Sequence, residues 1–212
     1  VQRALNYLDR LATDAKGDDS LQRELAAAYL KLADVQGNPL HSNLGDSVGA
    51  LQSYRKAVQI RQALLATHPN DRSDKYSLAV SYRAVGRILL NTGDLQGGVE
   101  NARNSLLLCE SLVREEPHNA TYLDELENAY EIIGDIYAGN GPTANLGDIA
   151  KGLEYHRKAL DIALKLANTN PNDVALQRSV AIYEIKTGDD YMKDGDRRNA
   201  VQNYRKAQDI YT

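Results

Sequence analysis

The chain repeats itself, and that limits its fold more than any other feature. Glu24-Leu25-Ala26-Ala27-Ala28-Tyr29 returns as Glu125-Leu126-Glu127-Asn128-Ala129-Tyr130, an offset of 101. Gly37-Asn38-Pro39-Leu40-His41-Ser42-Asn43-Leu44-Gly45-Asp46 returns as Gly139-Asn140-Gly141-Pro142-Thr143-Ala144-Asn145-Leu146-Gly147-Asp148, an offset of 102. The second offset holds for Arg55-Lys56-Ala57 against Arg157-Lys158-Ala159 and for Pro69-Asn70-Asp71 against Pro171-Asn172-Asp173. Each copy divides again: Gly86…Gly93-Asp94 and Gly188…Gly195-Asp196 keep the same offset but lack the ten-residue insert. The order is long, short, long, short, with units of roughly 50 residues. A unit that small cannot bury its own apolar face, so neighbours must stack to make a continuous core.

Inside each unit the apolar spacing is helical. Leu21, Leu25, Ala28, Tyr29 and Leu32 fall at steps of three and four, as do Val1, Leu5, Leu8, Leu11, Ala12 and Ala15. Punctuation is regular. Pro69, Pro117 and Pro171 stop helices, and the adjacent Asn or Asp is placed to cap the next one. Gly93-Asp94 and Gly195-Asp196 put a glycine past one helix end and an acid at the next N-terminus. These signals predict helices over about 1–16, 20–36, 47–67, 72–91, 95–115, 120–138, 148–169, 173–193 and 197–211. The first reads as the second helix of a hairpin cut off upstream. With a start at Val1, this points to a fragment of something longer.

The fourth hairpin reads Gly188-x-x-Tyr191-x-x-x-Gly195-Asp196-x-x-x-Ala200-x-x-x-Tyr204-x-x-Ala207. It resembles the tetratricopeptide repeat, with Tyr204 in the place of the usual Phe. Ala33, Gly86, Gly134 and Gly188 take the small position of helix A. Ala50, Gly98, Gly152 and Ala200 take its counterpart in helix B, and Ala57, Ala159 and Ala207 recur seven residues later. Departures are the longer second helices, the two inserts, and Ala102 and His156 where Tyr54 and Tyr204 stand in the other hairpins. The resemblance implies an all-α, right-handed solenoid of antiparallel helical hairpins, about nine helices in one domain over 1–212. Residues 1–17 would be the second helix of a truncated repeat, followed by repeats at 20–69, 70–117, 119–171 and 172–212. A narrower resemblance, over Tyr7-Leu8-Asp9-x-Leu11-Ala12 to Asp46, is to the repeat tails of bacterial serine/threonine protein kinases. It implies a parent with a kinase domain and often a membrane span. The segment would then lie in the bacterial cytoplasm, or outside it if such a span precedes it. No His-Arg-Asp, Asp-Phe-Gly or phosphate-covering glycine loop is present in the chain itself.

Composition narrows the function. A net charge of −4 with no basic stripe argues against nucleic acid. No segment has the ~18 apolar residues of a membrane span. Cys109 lies alone in an apolar run and reads as a buried thiol. His41, His68, His118 and His156 have no metal-ligand spacing, and no nucleophile elbow appears, so neither a metal, a cofactor nor a catalytic residue is expected. With 13 Tyr but no Phe or Trp, the core needs a hydrogen-bond outlet for many hydroxyls. The Gly37–Asp46 and Gly139–Asp148 inserts read as ordered helix connections or as projecting contact loops.

The resemblance places partner binding on helix A residues lining a concave groove. One position past the small residue gives Asp34, Arg87, Asp135 and Asp189; Arg83, Asn91, Asn128, Glu131 and Lys193 lie nearby. Three acids among four positions suggest an acid-leaning trough that would steer a basic segment of a protein or peptide partner. The competing expectation is a structural role, packing against the parent's own domain or a second copy. Oligomeric state is open.

Overall fold

The computed structural model describes residues 1–139 and 145–211. Among them are nine α-helices and no strand: α1 (Gln2–Asp14), α2 (Asp19–Gly37), α3 (Ser47–Thr67), α4 (Arg72–Asn91), α5 (Leu95–Glu115), α6 (Ala120–Ala138), α7 (Ile149–Thr169), α8 (Val174–Lys193) and α9 (Arg197–Tyr211). The caps explain why the sequence fixes these bounds so closely. Asp18, Asp46, Asp71, Asp94, Asn119, Asp148, Asp173 and Asp196 each accept a backbone N–H from the first turn of the helix that follows. Each satisfies one of the amides that a helix start leaves without an intrahelical acceptor. Gly93 and Gly195 adopt φ of 89° and 88°, the left-handed turn that a side chain would strain.

Two compact units divide the described residues, Val1–Leu108 and Cys109–Thr212, and the boundary falls inside α5. In the first unit, α1 packs on α2, α2 on α3 and α3 on α4. Tyr29, Leu25, Ala26 and Ala57 form one cluster, covered by Leu5, Leu8 and Leu11 of α1. Ala33, Ala50, Tyr54, Leu78, Val85 and Ile88 form the next. In the second unit, α6, α7, α8 and α9 pack in sequence, with Ala159, Leu160, Ala163, Val180 and Tyr183 at the core. Cys109 is buried.

The small helix A residues serve two purposes. A Cβ on Gly86 would lie 3.2 Å from the backbone nitrogen of Ala102 and 3.3 Å from the Gly98 carbonyl, so there the helices themselves meet. At Gly134 and Gly188 the space is filled instead by the rings of His156 and Tyr204, 2.4 and 2.6 Å from such a Cβ. The sequence reading, in which small residues let helices cross closely, describes the first case. The other two are sockets for a ring.

The first insert is an ordered connection. The Asn43 amide donates to the carbonyls of Asn38 and His41 at 2.8 and 2.9 Å, and its oxygen accepts from Gly45 N at 2.7 Å. The second insert ends the same way, with Asn145 accepting from Gly147 N; residues 140–144 lie outside the described residues. No helix of the described residues is long and apolar enough to cross a membrane.

Candidate partner-binding surfaces

In the first unit, Asp34, Arg83 and Arg87 come together. They line a pocket of about 200 Å³, closed on one side by Asn38, Pro39, Leu40 and His41 of the insert. Asp34 accepts hydrogen bonds from the Tyr54 hydroxyl at 2.6 Å and from Asn38 Nδ2 at 2.8 Å. Its charge is therefore committed to bracing α3 and the insert against α2, while two arginines from α4 face the same space. Asn91 is exposed at the end of α4 and does not line this pocket.

In the second unit, Asn128 and Glu131 of α6 line a pocket of about 280 Å³ with Asp124, Glu127, Arg178, Ser179, Ile182 and Tyr183. Glu127 is only 5% exposed and accepts a hydrogen bond from Ser179 Oγ. Burial pushes its carboxyl up to about 7; Asp124 and Glu131 add to the rise, and hydrogen bonds from Ser179 and Tyr183 oppose it. Tyr183 is raised in turn, first by its own burial and then by Glu131 and Glu127.

Beside this pocket lies a charge network that is half-buried at Lys186, Asp135 and Glu131 and fully buried at His156 and Asp190. Lys186 reaches both oxygens of Asp135 at 2.8 Å and Glu131 at 3.1 Å. His156 of α7 has no exposed surface. Its Nε2 lies 3.1 Å from Asp135 and its Nδ1 lies 2.6 Å from Asp190. Burial works against the imidazolium, but the two carboxylates outweigh it and raise His156 above its ordinary value. Asp135 is lowered, the nearby cations outweighing its desolvation. Asp189 accepts from the Tyr204 hydroxyl at 2.8 Å. The Lys193 ammonium donates to the Ala138 and Gly139 carbonyls, both at 2.9 Å, and so compensates the negative end of α6.

The residues picked from the sequence thus separate: Arg83 and Arg87 line the first unit's pocket with Asp34, and Asn91 stands exposed outside it. Asp34, Asp135, Asp189 and Lys193 hold helices together, and Asn128 and Glu131 line an open pocket. Glu127, Asp124 and Tyr183 were missed. One signal for Glu127 was available: it stands at the repeat position of Ala26, which is fully buried. No group of three or more His, Cys, Asp or Glu suited to a metal ion occurs among the described residues.

No family model and no curated protein matches the chain. Solved structures do. BtubC (BKLC) from P. vanneervenii is 14% identical, with 99% of this chain and 89% of that one covered at a TM-score of 0.56. MamA from residue 41 to its end, from Desulfovibrio magneticus RS-1, is 18% identical over 99% of this chain and 85% of that one, TM-score 0.52. A MamA RS-1 double mutant is 18% identical over 99% and 89%, TM-score 0.51. At such identities the likeness speaks to fold. The chain has a tetratricopeptide-like, all-α solenoid fold of helical hairpins.

Proposed function

We propose that residues 1–212 act as one non-catalytic protein-interaction module of four hairpins, and that its second unit takes a basic segment of a partner on the α6–α8 face. The observation that carries this reading is Glu127. A carboxylate held in a buried register, beside Asp124 and Glu131 and open to a pocket, is costly to ionise alone and gains most when a cation arrives. Ile182 lines the same pocket, and Ile185 and Met192 are exposed further along α8, which suits an amphipathic segment. Asp34, Arg83, Arg87 and Asn91 in the first unit, and Asn128, Glu131, Asp135, Asp189 and Lys193 in the second, form the contact set we assign, with Glu127 and Asp124 added. The resemblance of residues 7–46 to repeat tails of bacterial serine/threonine kinases supports a place in a signalling kinase.

The test is binding of a labelled Lys/Arg-rich amphipathic peptide, followed by fluorescence anisotropy. Replacing Asp124→Arg together with Glu127→Ala gives the pocket the residues that Arg23 and Ala26 supply in the first copy. The double variant is expected to bind at least about tenfold more weakly. Wild-type binding is expected to tighten as pH rises through about 7, where Glu127 ionises. Equal binding by both proteins, or by a peptide with Glu in place of its basic residues, refutes the reading. Dimerisation in sedimentation that masks the peptide site would favour self-association instead.

A further inference from the structure

A tyrosine recurs four residues before the small residue of helix A: Tyr29 before Ala33, Tyr82 before Gly86, Tyr130 before Gly134. Each hydroxyl meets a polar side chain 20 residues earlier, on the preceding helix. Tyr29 donates to Asp9, Gln62 Nε2 donates to Tyr82 at 2.6 Å, and Tyr130 donates to Glu110 at 3.1 Å. The fourth hairpin breaks this ladder. Its residue before Gly188 is Glu184, and 20 residues earlier stands Leu164. Ring and polar partner are both gone.

What remains is a cavity with a charge at its wall. Between α7 and α9 opens a pocket of about 290 Å³, lined among others by Leu160, Leu164, Glu184, Tyr191, Asn203 and Lys206, with Arg157 and Asp161 as two further charged residues in its wall. Leu164 is left exposed. Glu184 is 3% exposed. Its Oε1 lies 3.3 Å from the Lys206 ammonium, whose side chain is half exposed. Its Oε2 is buried and has no hydrogen-bond partner among the described residues. A buried carboxylate oxygen without a donor carries the full cost of its lost hydration.

We propose that this pocket is a binding site for a guanidinium or ammonium group. A guanidinium fork can serve both oxygens of a carboxylate at once, which a single ammonium at Lys206 does not. The aliphatic stem of such a group would pack on Leu160 and Leu164, where the missing ring leaves apolar surface open. Lys206, on the solvent side, swings out as the ligand enters. The pocket volume is at the small end for ligand sites, which suits one extended side chain or a small cation rather than a large cofactor. The site shares no residue with the Glu127 pocket, so the two readings stand or fall separately.

Two probes distinguish the source of the cation: agmatine for a free small molecule, and a blocked peptide with a single Arg for a partner side chain. Amide shifts of the whole chain are followed by NMR. Saturable shifts at Leu164, Tyr191 and Asn203 with either probe support the site, and the probe that binds identifies the source. Glu184→Gln is expected to weaken binding roughly tenfold, since the charge but not the shape is lost. Glu184→Tyr, which restores the residue of the other three hairpins, is expected to abolish binding with the fold retained by circular dichroism. No shift with either probe up to about 10 mM, weaker than any specific site would require, overturns the proposal. So does binding that survives Glu184→Tyr.

Discussion

Glu127 allows a quantitative test of the second unit. Its carboxyl has an ordinary value of 4.5 and is raised to about 7 in the fold, chiefly by burial. The folded state therefore binds a proton more tightly than the unfolded chain between those values. The stability this contributes is fully present below about 4.5 and is lost as pH rises toward 7. At 1.36 kcal/mol per unit, the loss is about 3 kcal/mol. His156 acts in the same direction but later: its raised value means stability is lost as pH climbs from about 6.5. Glu127→Gln keeps an acceptor for Ser179 and Tyr183 and removes the titration. Urea unfolding followed by circular dichroism from pH 5 to 9, with amide exchange on α6 and α8, reads both windows. Wild type should lose stability across pH 5–7 and continue to fall above it. Glu127→Gln should be flat across the lower window, show only the later fall, and exceed wild type at pH 8 by up to about 3 kcal/mol. An unchanged slope between pH 5 and 7 in the variant would refute the burial argument for this carboxyl.

Two other outcomes follow from packing. Gly152→Ala places a Cβ 2.7 Å from the backbone nitrogen of Ala138, which cannot yield as a side-chain tip would, so thermal melts should show a loss of about 1–3 kcal/mol. His156→Tyr and Asp190→Ile, each made alone, should cost about 3–5 kcal/mol by removing one partner of a buried pair; made together they should recover most of that loss, because they install the Tyr54 and Ile88 of the first copy. Simple addition of the two single costs in urea denaturation would count against this equivalence.

Helix bounds were legible because their signals are local. The ranges 47–67, 72–91 and 95–115 read from Pro, Gly and Asx punctuation coincide with α3, α4 and α5. Positions of the small residues were legible too, but not their use, since that depends on which side chain arrives from the facing helix. Asp34, Asp135 and Asp189 show the same limit. Their register is visible in one helix, while the tyrosine or histidine that claims each of them comes from 15 to 21 residues away. Lys193 is the extreme case: its acceptors, the Ala138 and Gly139 carbonyls, lie 55 and 54 residues earlier. Glu127 escaped notice because Leu126-Glu127-Asn128 reads as an ordinary half-exposed helix stretch.

The two copies differ through exchanges that come in sets. Tyr54 and Ile88 pack together in the first unit; His156 and Asp190, at the same repeat positions, form a hydrogen-bonded pair in the second. Arg61 reaches Ser81 in the first unit, a long side chain against a short one; Ala163 and Tyr183 reverse the sizes in the second. That reversal brings the Tyr183 hydroxyl to Glu127, which replaces Ala26, and next to it Asp124 replaces Arg23. Arg23 itself is bound bidentately to Asp74 at 2.8 and 2.7 Å, and Leu176 stands where Asp74 would be. A single such replacement would leave a void or a stranded charge; exchanged in sets, they keep the helix packing while altering the charge it presents. The backbone scaffold is thus common to both copies, and the chemistry available to a partner lies in the positions where they part.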